Sequence, residues 1–288
     1  MKNTKPRLAL AAGIICISIF PILVRLQLSP ALISAFYRMF FSAAVLVPFV
    51  LITGKFKKPA VKNIFLSLLC GLIFASDVAV WNIAIQESSA TQATLLTNLS
   101  PVWVGIGSFL FLPQKPKRNF WIGTVVALIG MVLFVGVDFF AELRFNRAFF
   151  FAILSGVLYA FYMLISKTIL RNTAVLSFMT LSLIASSLFL GVVCFILNEP
   201  FTGFSQIGWI SLAVQALVCQ LSAWLLISFA TQNMRATRVS LSLLGQAVLT
   251  TIIAWVFLNE QITIEMIVGG LVLLLGIRIT FIEKPISL

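Results

Sequence analysis

Apolar residues run along this chain in blocks of about twenty, the length at which a helix rising about 1.5 Å per residue crosses about 30 Å of hydrocarbon. Short breaks rich in Lys, Arg, Pro and Gly separate the blocks. Read in order, they predict helices over residues 8–26, 31–52, 64–86, 90–112, 120–137, 148–170, 174–197, 206–230, 236–258 and 263–282, ten in all. Barrel strands would instead show short alternating segments. The expected fold class is therefore all-α integral membrane. The first block follows MKNTKPR and looks like the start of a secretory signal, but no small-residue cleavage site follows and nine more blocks do. It is read as a retained span.

The pattern repeats. A shift of 146 residues pairs Ala84 with Ala230, Gln86 with Gln232, Thr91 with Thr237, Leu95 with Leu241 and Val102 with Val248. The same shift pairs Phe111 with Phe257, Gly123 with Gly269 and Gly130 with Gly276, and it aligns spans 3, 4 and 5 with 8, 9 and 10 without a gap. Two five-helix repeats are expected, over residues 1–140 and 147–288. Five is an odd number of crossings, so the second repeat enters from the opposite face and the repeats are inverted. That architecture suits alternating access around a site near the midplane where the halves meet.

Composition adds little to the class but settles the surroundings: 61% of residues are apolar and 10% charged, with mean hydropathy +1.11. The expected environment is a lipid bilayer. A net charge of +12 suggests nucleic acid until the charges are placed. Lys2, Lys5, Arg7, Lys55, Lys57, Lys58, Lys62, Lys115, Lys117, Arg118, Lys167, Arg171, Arg235, Arg238, Arg278 and Lys284 all fall on one side of the ten-helix reading. The other side has Arg25, Arg144 and Arg147 with Glu87, Asp138, Glu142, Glu199, Glu260 and Glu265. This is the positive-inside bias, placing both termini in the cytoplasm of a multi-pass inner-membrane protein. No nucleic-acid partner is expected. Cys16, Cys70, Cys194 and Cys219 lie apart inside spans and read as small apolar fillers, without metal or disulfide spacing.

The five-plus-five layout, the run ATQATLLTNLSPVW (residues 90–103) and the run FLNEQITIEMIVGGLVLLLGI (residues 257–277) resemble the EamA-type transporters of the drug/metabolite transporter superfamily, over the whole chain. In that family each half usually carries a proline in its fourth helix, a glutamate at that helix's end and a glycine-spaced fifth helix. Here the first half has Pro101 but Pro113 and Gln114 near the glutamate position; the second has Glu260 but Gln246 and Ala247 near the proline position. The resemblance implies a transporter and favours export. It names no substrate, because its members carry amino acids, nucleotide sugars, vitamins and other metabolites on one fold.

A carrier of polar solutes needs partners inside the membrane that replace water. Arg38 lies about eight residues, roughly 12 Å, inside the outer end of the second helix, and Asp77 about ten residues inside the outer end of the third. At matching depth the two could neutralise each other, and a solute with an amine and a carboxylate could compete for them. The alternatives are a static ion pair or an Arg38 that snorkels outward. Thr91, Thr94 and Asn98 form a polar stripe on the fourth helix, where Pro101 cannot donate to the Thr97 carbonyl; ordinary interhelical hydrogen bonding explains the stripe equally well. Gln220 and Trp224 share a face in the second half with Ser228, as does Gln246 with Ser242 and Thr250. Tyr37, Trp81, Asn82, Tyr159 and Tyr162 are candidate cavity residues, since Trp and Tyr otherwise favour the interface. Gly123 with Gly130, and Gly269 with Gly276, read as close-approach positions.

The chain has no histidine and no GxxxxGK loop, so ATP-driven transport by this chain alone is not expected. If protons drive transport, Asp77 is the best-placed carrier: one charge through 100 mV carries about 2.3 kcal/mol, roughly a fifty-fold gradient. Uncoupled diffusion stays open. The leading function is a secondary carrier of a small organic metabolite such as an amino acid or related amphipathic solute. The rival is a non-transporting scaffold, sensor or membrane enzyme on the same fold. No cofactor, metal or catalytic residue is expected, and no oligomeric state is assigned.

Overall fold

The computed structural model describes residues 4–87, 96–136, 146–259 and 261–282. Thr91 and Thr94 lie outside the described residues, as do Lys2, Asp138, Glu142, Arg144, Glu260 and Lys284. In chain order the helices are α1 (Thr4–Ser18), α2 (Phe20–Arg25), α3 (Ala31–Ile52), α4 (Val61–Glu87), α5 (Ser100–Phe111), α6 (Arg118–Val135) and α7 (Arg147–Ile169). They continue as α8 (Val175–Ile196), α9 (Gln206–Val214), a π-helical segment (Gln215–Ser222), α10 (Ala223–Asn233), α11 (Ala236–Leu243), α12 (Gly245–Leu258) and α13 (Ile264–Thr280).

Among the described residues these elements group into ten helical stretches. Eight stretches are long and apolar enough to cross a membrane, with Ser100–Phe111 as a shorter apolar helix and α13 as a segment of 17 residues. Among the described residues no strand occurs. Outward-facing Phe109, Phe111, Phe195, Phe257 and Ile264 each expose more than half their surface. In water such a surface would aggregate. In a bilayer it is the solvated face, and this is a multi-pass membrane protein.

The blocks were expected as unbroken helices, and the structure interrupts several. The first span breaks at Ile19, ahead of Pro21. The fourth turns tightly at Asn98 and Leu99, and Pro101 stands in the first turn of α5 rather than inside a bent helix. A proline lacks the N–H an interior position must donate, so a new helix starts there at less cost than one continues. The ninth span breaks at Leu244, which the 146-residue shift pairs with Asn98. Here the second half has no proline. Gly245, a poor helix-interior residue, opens the new helix instead.

The helices form two compact units, one of Met1–Ala79 with Ile165–Asn233, the other of Val80–Leu164 with Met234–Leu288. In the first unit, the segments that the charge bias assigns to the cytoplasm meet at one end. Asn63 Nδ2 donates to Thr173 Oγ1 at 3.0 Å, and Lys57 and Ser177 exchange two hydrogen bonds. At the same end two helix C-termini cap each other. Buried Lys167 of α7 donates to the Thr231 and Gln232 carbonyls at the end of α10, at 2.8 and 3.0 Å. Gln232 Nε2 returns bonds to the Leu170 and Thr173 carbonyls that follow α7, at 2.8 and 3.1 Å. A helix's last carbonyls have no partner within the helix and carry the negative end of its dipole, so an ammonium and an amide suit them.

In the second unit the main contact is α6 against α13, which pack along their length. Glycines make it possible. A Cβ added at Gly269 would lie 2.2 Å from the Phe134 nitrogen, and one at Gly130 would lie 2.3 Å from the Leu273 nitrogen. Gly123 and Gly276 meet each other's carbonyls in the same way, at 2.5 and 2.6 Å. Around this crossing Phe120, Ala127, Met131, Leu241, Leu244 and Leu273 close a buried core.

Two outcomes test these contacts. Gly269→Ala is expected to lower the melting temperature of the detergent-solubilised protein, by overpacking of about 1–3 kcal/mol; Gly245→Ala, whose added Cβ meets only Ile277 at 3.5 Å, is expected to melt like wild type. Lys167→Met leaves two terminal carbonyls without their donor and is expected to destabilise by about 1–3 kcal/mol in the same melt.

Candidate functional site

Three residues on α3, spaced one helical turn apart, organise the polar interior of the first unit: Ser34, Arg38 and Ser42. Ser34 Oγ donates to Gln215 Oε1 at 2.5 Å, and Ser42 Oγ lies 2.8 Å from the Ala216 carbonyl oxygen it donates to. Both partners open the π-helical segment. Arg38 lies midway between the two tethers, on the same face of α3, because residues four apart on a helix are neighbours. It is 6% exposed. Its guanidinium lies over the Phe20 ring at 4.4 Å, a cation–π contact, and its Nε has no hydrogen-bond partner.

Asp77 of α4 belongs to the same unit and is 7% exposed. Its carboxylate is an opposite charge within electrostatic reach of Arg38, and the π-helical segment adds the buried thiol of Cys219. Gln220 follows Cys219 and is 1% exposed, and its Oε1 has no partner. Trp224, one turn on, packs edge-on against Phe74 with ring centroids 4.8 Å apart. Arg38, Asp77, Gln220 and Trp224 thus lie in one unit, three of them polar and buried.

Why the segment is π-helical follows from its sequence. Its buried positions come in pairs, Gln215 with Ala216 and Cys219 with Gln220, and continue as Ala223 with Trp224 and Ile227 with Ser228. The spacing is four. On an α-helix a four-residue repeat drifts about 40° each turn. The wider i to i+5 turn brings Gln215 and Gln220, five residues apart, toward one face, and both are buried.

The remaining candidates lie elsewhere. Tyr37 points the other way from Arg38: its hydroxyl donates to the Phe201 carbonyl at 2.6 Å, among Phe36, Phe41, Phe204 and Trp209. That is an interfacial aromatic cluster tying α3 to the α8–α9 loop. Trp81 and Asn82 follow Asp77 along α4 but belong to the second unit, where Asn82 is buried. Also there, Asn98 Nδ2 approaches Met131 Sδ at 3.9 Å, Tyr159 and Tyr162 lie with centroids 6.4 Å apart, and Gln246 is half-buried just after the Leu244 break. The two interrupted spans meet in this unit, where α5 packs on α11. Ser108 of α5 and Ser240 of α11 each bury a hydroxyl that has no partner. Sequence reading passed over Ser34, Ser42 and Cys219. The signal was present as two serines four residues to either side of a buried arginine.

Comparison with known proteins follows the same outline. The model of the EamA-like transporter family matches residues 5–136 and again residues 146–282. An uncharacterized transporter, YdfC, of Bacillus subtilis (strain 168) is 23% identical over 258 residues, 86% of this chain and 81% of its own. The S-adenosylmethionine uptake transporter of Rickettsia bellii (strain RML369-C) is 27% identical over 153 residues, and that of Rickettsia conorii (strain ATCC VR-613 / Malish 7) is 29% identical over 154. The chain spans about half the length of these Rickettsia relatives, 51% in each case. A solved crystal structure at 14% identity superposes with a TM-score of 0.82 over 97% of both chains, which is a likeness of fold.

The coupling of the two charges is testable by stability. Arg38→Met alone leaves Asp77 without the opposite charge that acts on it and is expected to lower the melting temperature; Arg38→Met with Asp77→Asn removes both desolvation costs and is expected to recover it, since neutral replacements of buried ion pairs are often neutral or stabilising by about 1–4 kcal/mol. Equal destabilisation by the double variant and the sum of the singles would show that the charges act independently.

Proposed function

Because this chain belongs to the EamA-like transporter family and is a membrane transporter, we propose that it is a secondary carrier for a small solute bearing both an amine and a carboxylate, an amino acid or a related amphipathic metabolite. The observation that carries this reading is the presence of two opposite charges, Arg38 and Asp77, buried on membrane-spanning helices of one unit. Buried ionisable groups in a membrane are costly and mark solute or ion routes. A carboxylate on the solute meets Arg38, and an ammonium meets Asp77. S-Adenosylmethionine has both groups on its methionyl end, so the substrate named for the Rickettsia relatives belongs in the panel to be tested.

Alternating access is the proposed mechanism, with the two sequence halves as inverted repeats. The paired interruptions at Asn98 and Leu244 support it, because interrupted helices at corresponding positions of two repeats characterise carriers of this kind. Export is the proposed direction. The charge bias of the loops supports cytoplasmic termini in the inner membrane, and hydrogen bonds such as Arg235 Nη1 to the Lys115 carbonyl join loops assigned to that side. Asp77 is the proposed proton carrier. Protonation there cancels the charge that balances Arg38 and frees the solute's amine, which couples release to the proton gradient.

The decisive experiment is transport in proteoliposomes with an imposed pH gradient. Asp77→Asn is expected to abolish transport or to remove its dependence on the gradient while the protein still purifies as a folded species. Wild-type rates with an unchanged pH dependence would overturn the coupling role, and loss of folded protein would make the pair structural.

A further inference from the structure

Two buried polar atoms in the first unit stand out by chemistry: Arg38 Nε is a donor without an acceptor, and Gln220 Oε1 is an acceptor without a donor. Leaving such atoms unpaired is destabilising, and native proteins keep few of them. Their neighbours are all engaged. Ser34 holds Gln215, Gln215 Nε2 holds Ser211 Oγ at 3.2 Å, and Ser42 holds the Ala216 carbonyl. These tethers fix α3 against the π-helical segment on both sides of Arg38, and Gln220 lies one π-helical turn beyond Gln215, both among the segment's buried positions. The two unpaired atoms are therefore carried by two elements that are tethered to each other.

We propose that Gln220 is a specificity-determining residue for transport: its side-chain oxygen accepts a hydrogen bond from the N–H of a solute whose carboxylate is held at Arg38. This deepens the solute class proposed above and rests on it. A carboxylate supplies the acceptor that Arg38 Nε lacks, and an amine supplies the donor that Gln220 Oε1 lacks. A solute with only one of these groups leaves the other atom buried and unpaired. Sites built to bond a polar group reject analogues without it far more strongly than apolar pockets reject a missing methylene. The π-helical turn is what keeps Gln220 among the buried positions with Gln215. The repeat partner of Gln220 is Phe74, so this recognition belongs to one half alone.

The test uses the purified full chain in proteoliposomes with size-matched probe pairs: phenylalanine against 3-phenylpropanoate, and methionine against 4-(methylthio)butanoate. Wild type is expected to prefer the amine-bearing member by about tenfold or more. Gln220→Leu is expected to lower that preference severalfold, Asp77 retaining the rest, while transport of the amine-free member continues, and Gln220→Glu, which keeps an acceptor, to restore it. An unchanged preference in Gln220→Leu would overturn the assignment while leaving the proposed carrier intact. Equal loss for both members would also overturn it, showing that Gln220 holds only water or structure. Wild-type transport of neither member of either pair would sink the solute class itself, and this assignment with it.

Discussion

The close crossing of α6 and α13 shows the constraint under which the whole molecule is built. Hydrocarbon gives helices no hydrophobic reason to associate, because a lipid tail is as apolar as a leucine. Association has to come from contact between backbones, and contact requires positions without side chains. Gly123, Gly130, Gly269 and Gly276 supply it for the fifth and tenth spans, each with an added Cβ placed within 3 Å of the other helix's backbone. The first unit uses the same device: a Cβ at Gly71 would lie 2.3 Å from the Ser182 carbonyl oxygen, and Ser186 Oγ donates to the Gly71 carbonyl across that approach. Once backbones touch, phenylalanines and leucines can cover the outside without deciding what packs on what.

A second consequence of the dry interior is that polar atoms must find each other. Serines and threonines bond back to their own helices, as Ser42 does to Arg38 and Thr231 to Ile227, and helix ends without water are closed by side chains from neighbours. Lys167 and Gln232 show how completely this can be done, since each reaches carbonyls beyond the end of the other's helix. Against that background Arg38 Nε and Gln220 Oε1 are informative because the surrounding bonds are so complete. A fold able to cap two helix ends reciprocally leaves these two atoms without partners.

Helix number and approximate limits were legible in the sequence because bilayer thickness sets the length of a span independently of what the span packs on. The ninth span was read as 236–258, and the structure begins and ends it there. The interruptions were harder. Pro101 announced a local disturbance, yet whether a proline bends a helix or starts a new one depends on the preceding turn, and the equivalent break at Leu244 has no proline at all. For the site, the depth of Arg38 and Asp77 could be counted along their helices, but the direction of a side chain could not. Tyr37 and Arg38 are consecutive and face opposite ways, one to a loop carbonyl and one to the buried interior. The π-helical segment was hidden because apolar residues surround its polar pairs, and a four-residue spacing of buried positions is also what an ordinary helix shows.

Symmetry and chemistry divide along different lines in this chain. The glycine pairs and the interruptions at Asn98 and Leu244 occur at matching positions of both halves, whereas the buried charges do not: the 146-residue shift takes Arg38 to Ile184 and Asp77 to Ala223. Paired backbone features give an inverted repeat two related conformations of similar energy, open to opposite faces. If the charges were paired as well, the interior would hold two equivalent solute positions and twice the desolvation cost. In the proposed carrier, both charges on one half would confine recognition to a single position, and the duplicated backbone would let that position be approached from either side. The asymmetry of ASDVAVWN against LSAWLLIS (residues 75–82 and 221–228) is what the proposed single solute site needs of a duplicated fold, and a structural pair of charges confined to one half has the same sequence signature.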